Sequence, residues 1–431
     1  MILRSRNVLG HGAATIHIDG DRIGRIGAYD DAVDAIDYGD LVLMPGVVDS
    51  HVHVNEPGRT EWEGFDTATR AAAAGGVTTI IDMPLNSIPP TTSVEALMVK
   101  AEAMSGKCRV DVGLWGGAVP GNASQLREML KRGALGFKCF LVASGVPEFK
   151  CLDPHGLEEA LEAMSGTGAP LLVHAELDLG TGPRAGAPQS YRAYLRSRPH
   201  QMEDEAIALV SRLAEKTGAS AHIVHLSSAD ALSMIGGNVT AETTPHYLYF
   251  DAESIPDAAP EFKCAPPIRE HDNRERLWRG VRDGVLAGIV SDHSPCTPQL
   301  KKLEEGDVER AWGGISSLQM GLSIIWTEGR RRGFTLEEVS RLMSEGPASI
   351  ARLQNRKGKL AAGYDADVIA FDPDAQFVVD KDIIEHRHKV TPYQGETLAG
   401  VVRATFVRGR KVWEDGAHIG APIGQWLTSA T

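Results

Sequence analysis

From residue 41 onward, short runs of β-branched and apolar residues alternate with segments of helical spacing, the pattern of repeated βα units around a parallel sheet. Eight runs are predicted as strands, centred on residues 47–54, 78–83, 110–115, 135–140, 171–175, 221–226, 239–243 and 288–292. Helical patterns fill the intervals. Residues 93–104 form one, with Thr92 and Glu95 spaced as a capping box and Gly106 as the stop. A second box, Thr335 with Glu338, opens a helix expected to end before Gly346-Pro347. No Gly-x-Gly-x-x-Gly follows the first strand, so the fold class expected is α/β, a closed (β/α)8 TIM-like barrel rather than an open dinucleotide-binding sheet.

The two ends of the chain read differently. Residues 1–44 carry strand-like stretches at 14–18 and 22–26 between Asp-Gly turns, and residues 358–431 carry similar ones at 366–371, 404–408 and 411–413. Neither end is long enough for a core of its own. They are expected to pair into one small β-sandwich beside a barrel domain spanning residues 45–357.

In such a barrel, chemistry belongs at the carboxyl ends of the strands. Read in order, those ends offer His51 and His53 on the first strand, Lys138 on the fourth, His174 on the fifth, His225 on the sixth and Asp292 on the eighth. His51 and His53 are one residue apart, so an extended backbone points both imidazoles to one face, where they can close on a single ion. Each polar residue interrupts an apolar strand, a costly placement unless the group is paired or bound to a metal. His222 and His225 differ by three positions, so alternation sends only one inward; His225 is the better candidate, and His222 is expected to pack outward against a helix. Lys138 is the odd member, since a protonated amine cannot ligate a metal. From its type alone it is a surface or ion-pair residue, or one whose charge has been changed.

Composition excludes other classes. The 431 residues carry 57 acids against 44 bases, a formal net charge of -13, with no basic block longer than Arg330 to Arg332, so neither nucleic acid nor an anionic membrane is an expected partner. No stretch approaches the roughly 18 apolar residues of a spanning helix, and charges precede any apolar region at the start, so a cytoplasmic location is expected. Five cysteines without a Cys-x-x-Cys argue against both a disulfide framework and a thiolate zinc site; Cys296 is the one expected to border a pocket.

The motifs together resemble a known family. The succession Pro45-Gly-Val-Val-Asp-Ser-His-Val-His53, Gly136-Phe-Lys-Cys-Phe140, Val173-His-Ala-Glu176, Ile223-Val-His-Leu-Ser-Ser228 and Val290-Ser-Asp-His-Ser-Pro295 is similar to the cyclic amidohydrolases of the amidohydrolase superfamily. The likeness extends to Gly358-Lys-Leu-Ala-Ala-Gly-Tyr-Asp-Ala-Asp-Val368, which resembles the segment leading back into that family's small β-sandwich. The resemblance implies that Lys138 is carboxylated by CO2 to an anionic carbamate bridging two divalent ions. His51, His53 and Asp292 would then bind one ion, His174 and His225 the other. Nitrogen and oxygen ligands suit zinc, the first expectation, and equally cobalt, manganese or iron. The resemblance further implies a homotetramer and a hydroxide held between the ions as the attacking group, with Asp292 as its proton acceptor.

Within the family, dihydroorotases carry an arginine two residues after the second histidine and often a histidine four residues after the aspartate; this chain has Asn55 and Cys296 there. Hydantoinases and dihydropyrimidinases place a tyrosine shortly after the bridging lysine, where this chain reads Phe140-Leu-Val-Ala-Ser-Gly145. Residues 53–60, Asp82-Met-Pro-Leu-Asn86, Phe262-Lys-Cys-Ala-Pro-Pro-Ile-Arg269 and Trp312-Gly-Gly-Ile315 instead resemble the allantoin-hydrolysing branch. Allantoin is the small-molecule substrate expected. Asn86 and the backbone of Gly313, Gly314 and Ile315 are the expected substrate contacts, Asn55 and Arg59 hold the first loop, and His246 and His293 flank the ligands. Hydantoinase, dihydropyrimidinase and dihydroorotase activities are the alternatives, as is a non-catalytic assembly protein of the same fold, although such relatives usually lack the ligands this chain keeps.

Overall fold

The computed structural model describes residues 1–180 and 186–428. All eight expected runs form strands: β1 (Val47–Val52), β2 (Val77–Asp82), β3 (Asp111–Leu114), β4 (Phe137–Phe140), β5 (Leu171–His174), β6 (Ala221–Ile223), β7 (Val239–Thr243) and β8 (Gly288–Ile289). β1, β2 and β3 are parallel neighbours in one sheet, and β4 to β8 are parallel neighbours in another. Chain order and spatial order coincide within each of the two sheets, the arrangement of consecutive βα units. Past Trp115 the chain continues into Gly116–Gly117, which pairs with β4. At the other margin the His53 N–H donates to the His293 carbonyl at 2.8 Å, beside an isolated bridge between Val52 and His293. β2 to β6 are buried at every residue, as strands covered on both faces must be.

Two strands stop short of their expected ends for one reason. β6 ends at Ile223 and β8 at Ile289 because the backbone turns left-handed just beyond, at His225 (φ 40°) and Asp292 (φ 45°). Helix boundaries also moved. Ser93, not Thr92, caps the helix Val94–Ala103, its Oγ accepting from the Ala96 N–H at 3.2 Å, while Thr335 and Glu338 do form a reciprocal capping box. The helix after Thr335 does not stop before Gly346-Pro347: a wide turn, Arg341–Glu345, leads into Gly346–Ile350. Proline is tolerated in a first helical turn. Gly346 is there for space, since a Cβ would lie 2.0 Å from the Ala287 carbonyl oxygen.

The chain ends meet edge to edge. Five strands from the first 45 residues and four from residues 368–418 form one hydrogen-bonded sheet of nine. The seam is the antiparallel pairing of Val42–Pro45 with the start of Val368–Val378. The C-terminal part is not confined to this sheet: Trp426–Leu427 pairs with β3, and the Arg387 N–H donates to Glu63. Residues 429–431, the end of the expected small domain, lie outside the described residues.

A buried ion network locks this sheet to β3. The Lys357 ammonium lies 2.7 Å from Asp111, 2.9 Å from Asp365 and 2.7 Å from Asp367, and Arg408 pairs with the other oxygen of Asp111. Those three carboxylates have the spacing of a cation site. Lysine already fills it. Among the described residues, no helix is long and apolar enough to cross a membrane.

Candidate metal centre and active-site cavity

The left-handed turns that end β6 and β8 swing His225 and Asp292 over the carboxyl ends of the strands, where His51, His53, Lys138 and His174 already point. All six line one cavity of about 320 Å³, together with Asn86 and Gly313. Four of the nine non-glycine residues with positive φ among the described residues stand here: Asn55, Asn86, His225 and Asp292. Backbone cost of this kind persists where the surroundings over-determine it, and it clusters at working sites.

Asp292 Oδ1 lies 3.1 Å from His51 Nε2 and 3.4 Å from His53 Nε2. Burial acts to raise its pKa, but the imidazoles of His51, His53 and His225 outweigh it and hold the carboxyl well below the usual range. His51 donates its Nδ1–H to Glu242 at 2.8 Å, which leaves the Nε2 lone pair aimed at the carboxylate with no hydrogen bond of its own. On the other side, His174 gives Nε2–H to Glu176 at 2.8 Å, and its Nδ1 faces His225 Nε2 at 3.0 Å. Imidazole nitrogens and a carboxylate thus converge within hydrogen-bonding reach of one another. Such a donor set suits a divalent cation, and His51, His225 and Asp292 offer ligand atoms within 4.8 Å of one another.

His51 and His174 are each oriented by a carboxylate behind them, as metal-binding histidines usually are. Glu242 is buried, which acts to raise its pKa, yet hydrogen bonds from His222 and His51 hold it at about 2. Glu176 is likewise held at about 2, burial being outweighed by the Arg198 guanidinium and by His174. Burial drives the histidines the other way, lowering His53 to about 4 and His174 below its ordinary value. For His53 and His174 burial thus favours the neutral form that a ligand needs. Lys138 is fully enclosed, its Nζ has no hydrogen-bond partner among the described residues, and burial pushes it down to about 8 despite Asp292 and Glu242.

His222 corrects the alternation argument. It does not pack outward against a helix: its Nε2 lies 3.2 Å from Glu242 and its Nδ1 2.7 Å from the Thr240 hydroxyl, inside and below His225. The pleat that would have separated the two ends at Ile223. His293 and His246 are buried beside the ligands; His293 Nε2 lies 3.6 Å from Glu63, while both His246 ring nitrogens lack partners among the described residues. Arg59 does hold the first loop, donating to the Asn86 carbonyl at 2.9 Å and pairing with Glu148 at 2.5 Å, and Asn55 donates to the Pro295 carbonyl. Asn86 Nδ2 lies 3.5 Å from His53 Nδ1. Gly314 and Ile315 stand behind the wall, their backbones engaged by Lys263, Lys301 and Ser294. Cys296 is buried next to Lys301 and Gly314, away from the main cavity.

Glu242, Glu176 and Arg198 escaped the sequence reading. Glu242 had a usable signal, an acid inside an apolar strand, and Glu176 ends a quoted motif; Arg198, between two helices, had none. The cavity also gathers Ser144, Lys263, Tyr194 from the helix Tyr191–Arg196, and Ser294 and Trp312 from the stretch after β8.

The sequence profile of the amidohydrolase family matches residues 42–412. An allantoinase of Streptomyces avermitilis is 48% identical over 443 residues, covering 99% of this chain and 98% of the relative. One from Arabidopsis thaliana is 44% identical, covering 93% of this chain and 83% of its own. Among solved structures, the L-hydantoinase (dihydropyrimidinase) of Arthrobacter aurescens superposes with a TM-score of 0.92 at 31% identity, covering 99% of both chains. On the match of its motifs, its fold and nearly its whole length, the chain belongs to the amidohydrolase family.

Proposed function

We propose that this protein hydrolyses the ring amide of allantoin to give allantoate, with two divalent ions held by His51, His53 and Asp292 on one side and His174 and His225 on the other. The observation that carries this reading is the convergence of these groups on one cavity, with His51 and His174 oriented from behind by Glu242 and Glu176, in a chain 48% identical to an allantoinase. Bound there, two such ions polarise the scissile carbonyl and bring the pKa of water down toward 7. Asp292, kept ionised, takes the proton from the attacking water and gives it to the ring nitrogen as the carbon–nitrogen bond breaks. Lys138 would help hold the ions as a carbamate, its neutral amine adding to CO2 with loss of a proton; its enclosed nitrogen, without a hydrogen-bond partner among the described residues, supports this. Zinc is the metal we favour for the imidazole-rich set.

Asn86 and Gly313 border the cavity, which supports their binding the substrate's ureido and ring amide groups, with Gly314 and Ile315 behind them. The links from β3 through Gly116–Gly117 to β4, and from His53 to His293, support closure of the eight strands into a barrel spanning residues 45–357, with residues 1–44 and 358–431 as the smaller domain. Five free cysteines suit a reducing compartment such as the cytoplasm. A homotetramer is the assembly we expect, readable by sedimentation.

Hydantoin or dihydropyrimidine hydrolysis is a second reading, favoured by the 0.92 superposition on an L-hydantoinase. A side-by-side assay of the metal-loaded protein on allantoin, hydantoin, dihydrouracil and dihydroorotate separates the two. Allantoin is expected to give the highest kcat/KM; turnover of hydantoin or dihydrouracil with allantoin left intact sinks the first reading.

A further inference from the structure

Between β8 and the helix Gly321–Arg331 the chain forms one wall of the cavity through Ser294, Leu300, Arg310, Ala311, Trp312 and Gly313. Apart from isolated bridges at His293 and Ile315, this stretch has neither strand nor helix to set its backbone. A loop this long inside a compact protein must satisfy its buried carbonyls another way.

Two buried lysines do so. Lys301, 4% exposed, spends its ammonium on the carbonyl oxygens of Lys263 and Trp312, each at 3.0 Å, and on that of Gly314. Lys263 donates to the carbonyls of Glu309 and Ala311, each at 2.7 Å. The two are coupled, because the Lys263 carbonyl also accepts the Gly314 N–H at 2.9 Å. Four carbonyls within residues 309–314 are therefore drawn onto ammonium groups. Gly313 differs: among the described residues its N–H and C=O both lack a protein partner, and it borders the cavity. One donor and one acceptor side by side are the complement of a cyclic amide, which carries the same pair in its ring.

We propose that Lys301, together with Lys263, is a positioning residue for substrate recognition: the two ammonium groups hold the 309–314 wall so that the Gly313 backbone meets the substrate's ring amide over the His51–Asp292 cluster. The inference rests on the cyclic-amide reading of the site and adds to it what sets the wall. It also joins two separate motifs, the one containing Lys263 and the one containing Trp312 and Gly313, that carried the resemblance without a physical role. Lysine serves here as a point charge with three donors, which a shape-similar methionine cannot replace.

The test is steady-state kinetics of metal-loaded Lys301→Met beside the wild type on allantoin, hydantoin and dihydrouracil, with metal content measured for both. The expected result is a KM raised about tenfold or more, kcat within about threefold, and metal content unchanged, since a wall misplaced by an ångström weakens binding without dismantling the ligand set. An unchanged KM overturns the proposal, as does a fall in kcat that tracks lost metal. If Lys301→Met fails to fold, Lys263→Met removes the other ammonium and faces the same criteria. Where both fold, the two KM increases are expected to combine to less than their product, because they act on one wall. A wild type that ignores allantoin but opens another ring amide refutes the functional reading, while the KM comparison on that other substrate still decides the role of Lys301.

Discussion

Glu242 touches no substrate, yet it fixes which nitrogen of His51 keeps its lone pair and at the same time holds His222. Replacing it with glutamine keeps the volume and removes the charge. Glu242→Gln is expected to lower metal affinity roughly 10- to 100-fold while the protein stays folded. Competition with a chromophoric chelator measures this, and an affinity equal to the wild type contradicts it. The ligand candidates were legible because each is a polar residue at the end of an apolar run, where burial is expensive without a partner. Lys138 was legible as an anomaly, although its chemistry came from resemblance. His222 was misread because alternation holds only while the strand lasts, and it does not last to His225. Arg198 could not have been found, since nothing in a polar loop says which buried carboxylate it will reach.

At the scale of elements, the eight strands were legible in periodicity and their ends were not. A left-handed residue costs backbone energy that the pattern of apolar positions does not register, and tertiary contacts impose it at Asp292 and His225. The nine-stranded sheet was half legible: both ends read as β, but edge-to-edge joining through Val42–Pro45 is a matter of register between segments more than 300 residues apart. The Lys357 network shows what holds that joint. Lys357→Met would leave Asp111, Asp365 and Asp367 facing one another without their shared cation, so a loss of ~3–5 kcal/mol is expected. Denaturant unfolding at neutral pH reads this directly, and a loss below ~1 kcal/mol would show that water or Arg408 compensates.

For the molecule as a whole, an outer sheet built from both chain ends packs beside a core of parallel strands whose carboxyl ends gather the candidate ligands. Fold class, branch and the candidate ligands were readable because the motifs occur in order along one chain; the cavity wall was not, because residues 263, 301 and 309–314 meet only in three dimensions. The most direct test is a metal titration. The chelated protein, supplied with bicarbonate and a divalent ion, is expected to recover allantoin hydrolysis in step with binding of about two ions per chain, whereas Lys138→Ala stays metal-poor and inactive until a small carboxylic acid is added. Full allantoin turnover by the metal-free protein, or by Lys138→Ala without added acid, would contradict the account.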